Sequence, residues 1–277
     1  MSNKIALPTE HCETCPAFTQ LEQMGIKVGE FDRVVALAGN PNTGKSTLFN
    51  ALTGLKQHTG NWPGKTVTRA EGGYQFNNVN YKLVDLPGTY SLLSASQDEE
   101  VARDFILFGQ PNCTIVVTDA TALERNLNLV LQVMEITENV VVAINLMDEA
   151  RRKGIEVDAR SLARDLGVPA VPVAARSGEG IHTLLGVVAE VIEGTIQTQP
   201  LRVNGTPEFQ NAVSELAAMI QKSAPHIPNA RWLAIRLLDG DARVQQAILN
   251  GELNDIVSRQ TRQDVQFSKK MSVEGRQ

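Results

Sequence analysis

Eight residues, Gly39-Asn40-Pro41-Asn42-Thr43-Gly44-Lys45-Ser46, carry glycines, a lysine and a hydroxyl in the spacing G-x-x-x-x-G-K-S. The glycines let the backbone curl so that successive N–H groups converge on an anion. A helix starting at the loop would add its positive N-terminal end. Lys45 can reach the β- and γ-phosphates of a nucleotide, and the Ser46 hydroxyl is a hard oxygen ligand for Mg2+. Asn40, Pro41, Asn42, Thr43, Gly44 and Thr47 complete this candidate phosphate-binding set. Downstream, Asp85-Leu86-Pro87-Gly88 offers a carboxylate that would hold Mg2+ through water and an N–H at Gly88 that would meet a γ-phosphate. Further on, Asn145-Leu146-Met147-Asp148 has the form N-x-x-D. The Asp148 carboxylate can accept two hydrogen bonds from guanine, a donor pair that adenine lacks. Asn145 would tie this stretch to the phosphate loop, and Met147 lies within it. Leu146 is the residue after Asn145, so the base would meet an apolar side chain there.

The order of these sets is that of a GTP-binding switch. Thr66 is the best candidate for the first-switch threonine, closing over Mg2+ and the γ-phosphate with GTP bound; an ordinary strand threonine is the alternative. Asn61, Trp62, Pro63, Gly64 and Lys65 lead into it and belong to the same candidate loop. Thr89 follows Gly88, where Ras-like enzymes place a catalytic glutamine, and no side chain in that slot can orient water well. Backbone groups of the two switch loops are therefore expected to position the water. No arginine is obviously placed as a finger, with Arg69 and Arg103 left open. Phosphoryl transfer needs positioning and charge neutralisation more than covalent chemistry, and Lys45, Thr66 and Gly88 are the residues expected to supply it.

The elements that must position these residues follow from the apolar pattern. Val34–Ala38 is a continuous apolar run ahead of the phosphate loop, and Ser46–Leu52 a helical pattern after it, ending near Gly54. Gly60–Val67 reads as a loop, Tyr74–Phe76 and Tyr81–Val84 as strands joined by an Asn77-Asn78 turn, and Ser96-Gln-Asp-Glu99 as a capping box for a helix to Phe108. Strands at 114–118, 140–144 and 170–174 alternate with helical stripes at 123–134, 161–166 and 181–192. This predicts an α/β fold, a P-loop GTPase domain with a mostly parallel sheet flanked by helices, and ligands on such sheets bind beyond the carboxyl ends of the strands. From Thr206 the pattern becomes helical only. Thr206-Pro207 opens one helix, with Phe209, Val213, Leu216, Ala217 and Ile220 on one face. Asn229 caps another, carrying Trp232, Ile235, Leu237 and Leu238, and short helices are expected over 242–249 and 253–257. The expected division is an N-terminal extension (1–30), a GTP-binding domain (31–197), a small all-helical domain (198–267) and a disordered tail (268–277).

A chain of 277 residues with 42% hydrophobic and 21% charged residues is an ordinary globular composition. A net charge of −5 argues against a nucleic-acid surface, and no run of eighteen apolar residues offers a spanning helix. No signal peptide is evident, and three cysteines make no disulfide framework. Cys12 and Cys15 form a lone C-x-x-C, more simply read as part of a flexible extension than as a metal or redox pair, because no partner pair lies near it.

The segments G-N-P-N-T-G-K-S, G-N-W-P-G-K-T-V, D-L-P-G-T-Y-S-L, T-D-A-x-x-L-E-R-N-L and N-L-M-D together resemble the N-terminal part of the ferrous-iron transport protein B family. Arg231–Asp241 is similar to the guanine-dissociation-inhibitor-like helical domain of that family. The resemblance implies GTP and GDP as ligands, slow GTP hydrolysis, and a membrane-spanning iron-transport domain as partner. It places the chain at the cytoplasmic face of the bacterial inner membrane, with no nucleic-acid partner and a homo-oligomer left open. It also implies a K+ ion, held by Asn42 and by carbonyls around Asn61 and Trp62, that makes Asn42 part of the catalytic set. The fifth guanine motif of relatives, often S-A-R, aligns with Ala174-Ala175-Arg176. The Ala175 N–H can still meet guanine O6, but the hydroxyl is missing at Ala174. A GTPase of ribosome assembly or RNA modification shares the first four motifs and is the alternative; it would carry a basic face.

Overall fold

The computed structural model describes residues 31–242 apart from 55–56, 94–95, 203–204 and 226, together with residues 21, 24, 26, 29, 244 and 245. The C-x-x-C at Cys12 and Cys15, most of the helix expected over 242–249, the helix expected over 253–257 and the tail lie outside the described residues.

Among the described residues seven strands form one sheet in the order β2-β3-β4-β1-β5-β6-β7: β1 Arg33–Gly39, β2 Gln57–Asn61, β3 Thr68–Phe76, β4 Val79–Asp85, β5 Cys113–Asp119, β6 Val140–Asn145 and β7 Ala170–Pro172. β4, β1, β5, β6 and β7 run parallel, while β2 and β3 add an antiparallel ribbon at one edge. The helices whose full span is described are α1 Lys45–Thr53, α2 Gln97–Gly109, α3 Leu123–Ile136, α4 Met147–Arg152, α5 Ala159–Leu166, α6 Ile181–Ile192, α7 Pro207–Ser223 and α8 Ala230–Leu238. The central strands β1, β5 and β6 are mainly apolar and buried along most of their length because both faces are covered. On β1, Val34, Ala36 and Ala38 enter one core with Phe105 of α2 and Val130 of α3. Val35 and Leu37 enter the other, with Phe49 of α1 and Val188 of α6. The period-two alternation of a strand thus feeds two layers.

The turns are chemically determined. Asn77 and Asn78 have φ of 50° and 63°, as a two-residue hairpin turn with a primed conformation demands, and they join Phe76 to Val79. Ser96 caps α2 by accepting from the Glu99 N–H at 3.3 Å. The reading of Gly60–Val67 as a loop needs correction: Gly60 and Asn61 close β2, paired with Arg69 and Thr68 of β3. Residues 62–67 are the connection of this hairpin, with the Trp62 N–H donating to the Val67 carbonyl.

The helical region packs on the end of α3. Asn229 caps α8 by accepting from the Trp232 N–H (2.9 Å), and its amide donates to the carbonyls of Glu135 (2.7 Å) and Ile136 (2.9 Å). Arg202 reaches Glu135 and Glu138, each at 3.5 Å. The buried face of α8 is Trp232, Leu233, Ala234 and Arg236, whereas Leu238, expected on the apolar face, is exposed. Arg236 is buried because its guanidinium is met by Asp239 and Asp241, both at 2.8 Å. Among the described residues no helix is long and apolar enough to cross a membrane.

Candidate nucleotide-binding site

The phosphate loop leaves β1 at Gly39, where a Cβ would lie 2.8 Å from the Val117 carbonyl of β5, so only glycine fits there. The loop then turns through Asn42 (φ 66°) and Gly44 (φ 79°) into the first turn of α1. Thr43 is buried, and its hydroxyl donates to the Asn40 carbonyl at 2.9 Å, which locks the curl. The first turn of α1 holds no acidic residue, so no side chain of that turn competes for its N-terminal N–H groups. Asn40, Pro41, Asn42, Gly44, Lys45, Ser46, Thr47 and Gly88 line a cavity of about 270 Å³ at this point. Gly88 lies against Pro41, where a Cβ would still have ordinary contact distances of 3.5–3.6 Å. Asp85 ends β4 beside β1 and forms an ion pair with Lys45. Burial raises the Asp85 carboxyl above the ordinary carboxylate range, and the Lys45 charge and hydrogen bond oppose that rise.

The candidate base-binding side is built from β6 and the turns that follow β6 and β7. Asn145 is 1% exposed and works in two directions. Its amide donates to the Thr43 carbonyl of the phosphate loop at 2.9 Å, and its side-chain oxygen accepts from the Ala175 N–H at 3.1 Å. Gly44 makes room for it, since a Cβ there would stand 2.4 Å from Nδ2 of Asn145. Leu146 adopts a left-handed φ of 63°, which starts α4 and places Asp148 beside Arg151, Arg152 and Arg176 around an open cavity. The Met147 N–H donates to the Val173 carbonyl (3.2 Å), binding α4 to the strand end. Ala174 and Ala175 are buried at the start of a tight loop, in which the Ala174 N–H donates to the Glu179 carbonyl at 3.0 Å. Glu179 also takes a two-pronged hydrogen bond from Arg151 of α4, at 2.8 and 2.6 Å, which holds its carboxyl below the usual glutamate range.

The candidate first-switch residues are elsewhere in this structure. Thr66 is exposed and donates to Gln97 of α2 at 3.1 Å; Lys65 pairs with Glu100 at 2.6 Å. Trp62 is 5% exposed and meets Phe105 edge to face at 5.4 Å, with Arg69 over its ring. Asn61, Pro63 and Gly64 are exposed on the same hairpin. The hairpin therefore rests on α2, and none of its residues lines the phosphate cavity. The arginines left open as fingers are engaged: Arg69 with Glu71 (2.7 Å) and the Met24 carbonyl, and Arg103, 5% exposed, with Asp104. Thr89 is buried and donates to the Ser91 carbonyl at 2.7 Å, so its hydroxyl is spent within its own loop. Sequence reading missed Gln132 of α3, whose side-chain oxygen accepts from the Leu92 N–H (2.6 Å) and the Ser91 hydroxyl (3.1 Å). It also missed the Arg151–Glu179 fork. Neither carries a local signal, because each joins segments far apart in sequence.

A family model described as ferrous iron transport protein B matches residues 33–188, more than half of the chain, and one described as the FeoB cytosolic helical domain matches residues 206–275. The chain belongs to the ferrous iron transport protein B (FeoB) family. It is similar to an Fe(2+) transport protein A/FeoB fusion protein of Porphyromonas gingivalis, 36% identical over 88% of this chain and 29% of that protein. It is also similar to the Fe(2+) transporter FeoB of Escherichia coli K12, 39% identical over 75% of this chain and 27% of the relative. Among solved structures, the cytosolic domain of T. maritima FeoB in a GDP form matches with a TM-score of 0.73 and 32% identity, covering 87% of this chain and 98% of that one. The chain thus comprises the G domain and the helical domain of a FeoB protein and spans between a quarter and a third of the length of the curated relatives it matches.

Proposed function

We propose that this chain binds GTP and GDP and hydrolyses GTP slowly, acting as a switch that regulates ferrous-iron passage through a membrane domain of the same protein. The observation that carries the reading is Asn145. One buried side chain ties the phosphate loop, through Thr43, to the turn at Ala175, with Asp148 three residues on at the mouth of the base cavity. That arrangement suits guanine, whose paired donors match a carboxylate. Lys45 would leave Asp85 for the β- and γ-phosphates, and the α1 N-terminus would hold the remaining phosphate charge.

Mg2+ fits the donors present: Ser46 offers a hard oxygen at the cavity, and Asp85 is a half-buried carboxylate that already pairs with a cation, Lys45. Held there, Mg2+ would neutralise charge on the β- and γ-phosphate oxygens. Asn42 is exposed at the loop edge, and among the described residues its side chain makes no hydrogen bond, which favours its use as a K+ ligand over a role in bracing the loop. K+ at that point would stand in for an arginine finger, in keeping with Arg69 and Arg103 being engaged elsewhere. Thr66 and the carbonyls of Asn61 and Trp62 would join the site only after the hairpin leaves Gln97 and Glu100 and closes over the nucleotide. Water would then be oriented by backbone groups of both switches, since the Thr89 hydroxyl is committed to Ser91. The relatives are named as Fe(2+) transporters and the solved neighbour as a cytosolic domain. The switch would accordingly work at the cytoplasmic face of the inner membrane.

The test is steady-state GTP hydrolysis in K+ and in Na+, together with titrations of mant-GDP and mant-ADP. Expected are tighter binding of the guanine nucleotide and faster turnover in K+, the K+ advantage disappearing in Asn42→Asp. Equal rates in both salts would remove the K+ role, and equal affinity for both nucleotides would remove the guanine assignment.

A further inference from the structure

We infer that the Arg151–Glu179 pair is a positioning clamp that holds the Ala174–Glu179 loop against the base cavity and thereby slows the release of GDP. The inference rests on the guanine reading above. The loop has ample internal bonding: the Ala174 N–H donates to the Glu179 carbonyl (3.0 Å), and the Ser177 and Gly178 N–H groups donate to the Ala174 carbonyl (3.0 and 3.1 Å). Such bonds fix the shape of the loop but not its place on the rest of the domain. Beyond the burial of Ala174 and Ala175, its placement relies on few polar contacts. The Ala175 N–H reaches Asn145, and the chain enters from β7 with the Val173 N–H donating to Ile144 (2.8 Å). Ala174 itself offers no polar side chain. At the far side, the Glu179 carboxylate receives both arms of the Arg151 guanidinium from α4, the helix that carries Asp148. Two parallel N–H···O bonds between a planar donor and a planar acceptor restrict rotation as well as distance, which a point contact cannot do.

The location gives the pair its consequence. Arg151 and Asp148 border the same open cavity, with Arg176 of the loop opposite. α4 carries Asp148 and the loop carries Ala175, the two groups that would meet the base, and the clamp joins these two segments. Both side chains are about half exposed, 54% and 51%, so the pair is screened and contributes little to global stability. Opening it is correspondingly easy, which suits a gate on ligand exit better than a structural brace.

The experiment is stopped-flow dissociation of mant-GDP from the protein, chased with excess GDP, for wild type, Arg151→Gln, Glu179→Gln and the double variant, with thermal melts of each. Neutral replacements avoid setting a new charge beside Asp148. Expected is a roughly two- to fivefold faster release in either variant, of the size of an exposed ion pair, with no further gain in the double variant and with melting temperatures unchanged. Release at the wild-type rate in Glu179→Gln would overturn the clamp while leaving guanine binding standing. So would full additivity in the double variant, which would mean that the residues act separately, or a lowered melting temperature with release unchanged, which would mark a purely structural pair. Failure of wild type to bind mant-GDP would overturn the guanine reading and the clamp with it.

Discussion

Removing the Asn145 side chain should cost the domain more than any other polar truncation at the site. Asn145→Ala deletes one bond to the Thr43 carbonyl and one from the Ala175 N–H, in surroundings where Thr43 is 1% and Ala175 6% exposed. Each lost bond is worth about 1 kcal/mol net, and each orphaned buried partner adds to that, for a total of about 3 kcal/mol. Gly44→Ala attacks the same contact from the other side. It forces a φ of 79° on a residue with a Cβ, costing about 1–2 kcal/mol, and sets that Cβ 2.4 Å from Nδ2 of Asn145. The amide is held at both ends, so it must give up its bonds to make way, and the variant should lose about 4 kcal/mol in all. In the Asn145→Ala background the clashing atom is gone, and the nearest remaining neighbour of the new Cβ is Leu146 Cδ2 at 3.6 Å. Gly44→Ala should then cost only its backbone strain, bringing the double variant to about 4–5 kcal/mol against an additive expectation of about 7. Denaturant unfolding of the four proteins, followed by far-ultraviolet circular dichroism, measures this directly. A double variant whose loss equals the sum of the single losses would refute the claim that Asn145 and Gly44 share one contact.

Two other outcomes can be checked with the same material. Asp85→Asn frees Lys45 for phosphate and removes a negative charge from the cavity; it should bind mant-GDP in EDTA at least as tightly as wild type, yet gain little from added Mg2+, and weaker binding in EDTA would contradict the shared use of the pair. Burial pushes the Cys113 thiol up to about 12, so in a Cys12→Ser/Cys15→Ser background it should resist iodoacetamide at pH 8 until denaturant is added, whereas rapid alkylation of the folded protein would contradict its burial.

The sequence disclosed those features whose cause is local. The apolar run ahead of Gly39, the hairpin at Asn77-Asn78 and the Ser96 cap are each specified by a few adjacent residues, and all stand where the pattern placed them. Strand β2 did not announce itself: Gln-His-Thr-Gly-Asn has no apolar alternation and is a strand only because β3 offers it an edge to pair with. Helix α4, six residues long, is set by the left-handed turn at Leu146, a conformation uncommon for leucine and invisible to propensity. The second role of Asn229, gripping the end of α3 as well as capping α8, depends on a contact across more than ninety residues. The candidate site was legible as a set of motifs, but its division into a bonded half and a half resting on α2 was not, because that division is a matter of tertiary packing.

How firmly that second half rests on α2 is decided at Trp62. The hydrogen bond from Thr66 lies at the surface, where water replaces such a partner at little cost, and the Lys65–Glu100 pair is half-buried. Burying the indole against Phe105 contributes more, about 2–3 kcal/mol of apolar transfer and roughly 1 kcal/mol on top of that for the edge-to-face contact. Against it stands the indole N–H, which is buried and has no hydrogen-bond partner among the described residues, a defect that costs about 1–3 kcal/mol. The Trp62 contact therefore leaves a net bias of roughly 0–3 kcal/mol, of a size that the differential contacts of a γ-phosphate can reverse. Trp62→Phe tests this balance, because phenylalanine keeps most of the ring contact and removes the unpaired donor. The variant should melt at a temperature equal to or above that of wild type while hydrolysing GTP more slowly, since closure over the nucleotide now starts from a deeper resting position. A variant that melts lower, or that hydrolyses GTP faster, would mean that the N–H is satisfied and that Trp62 anchors the hairpin outright.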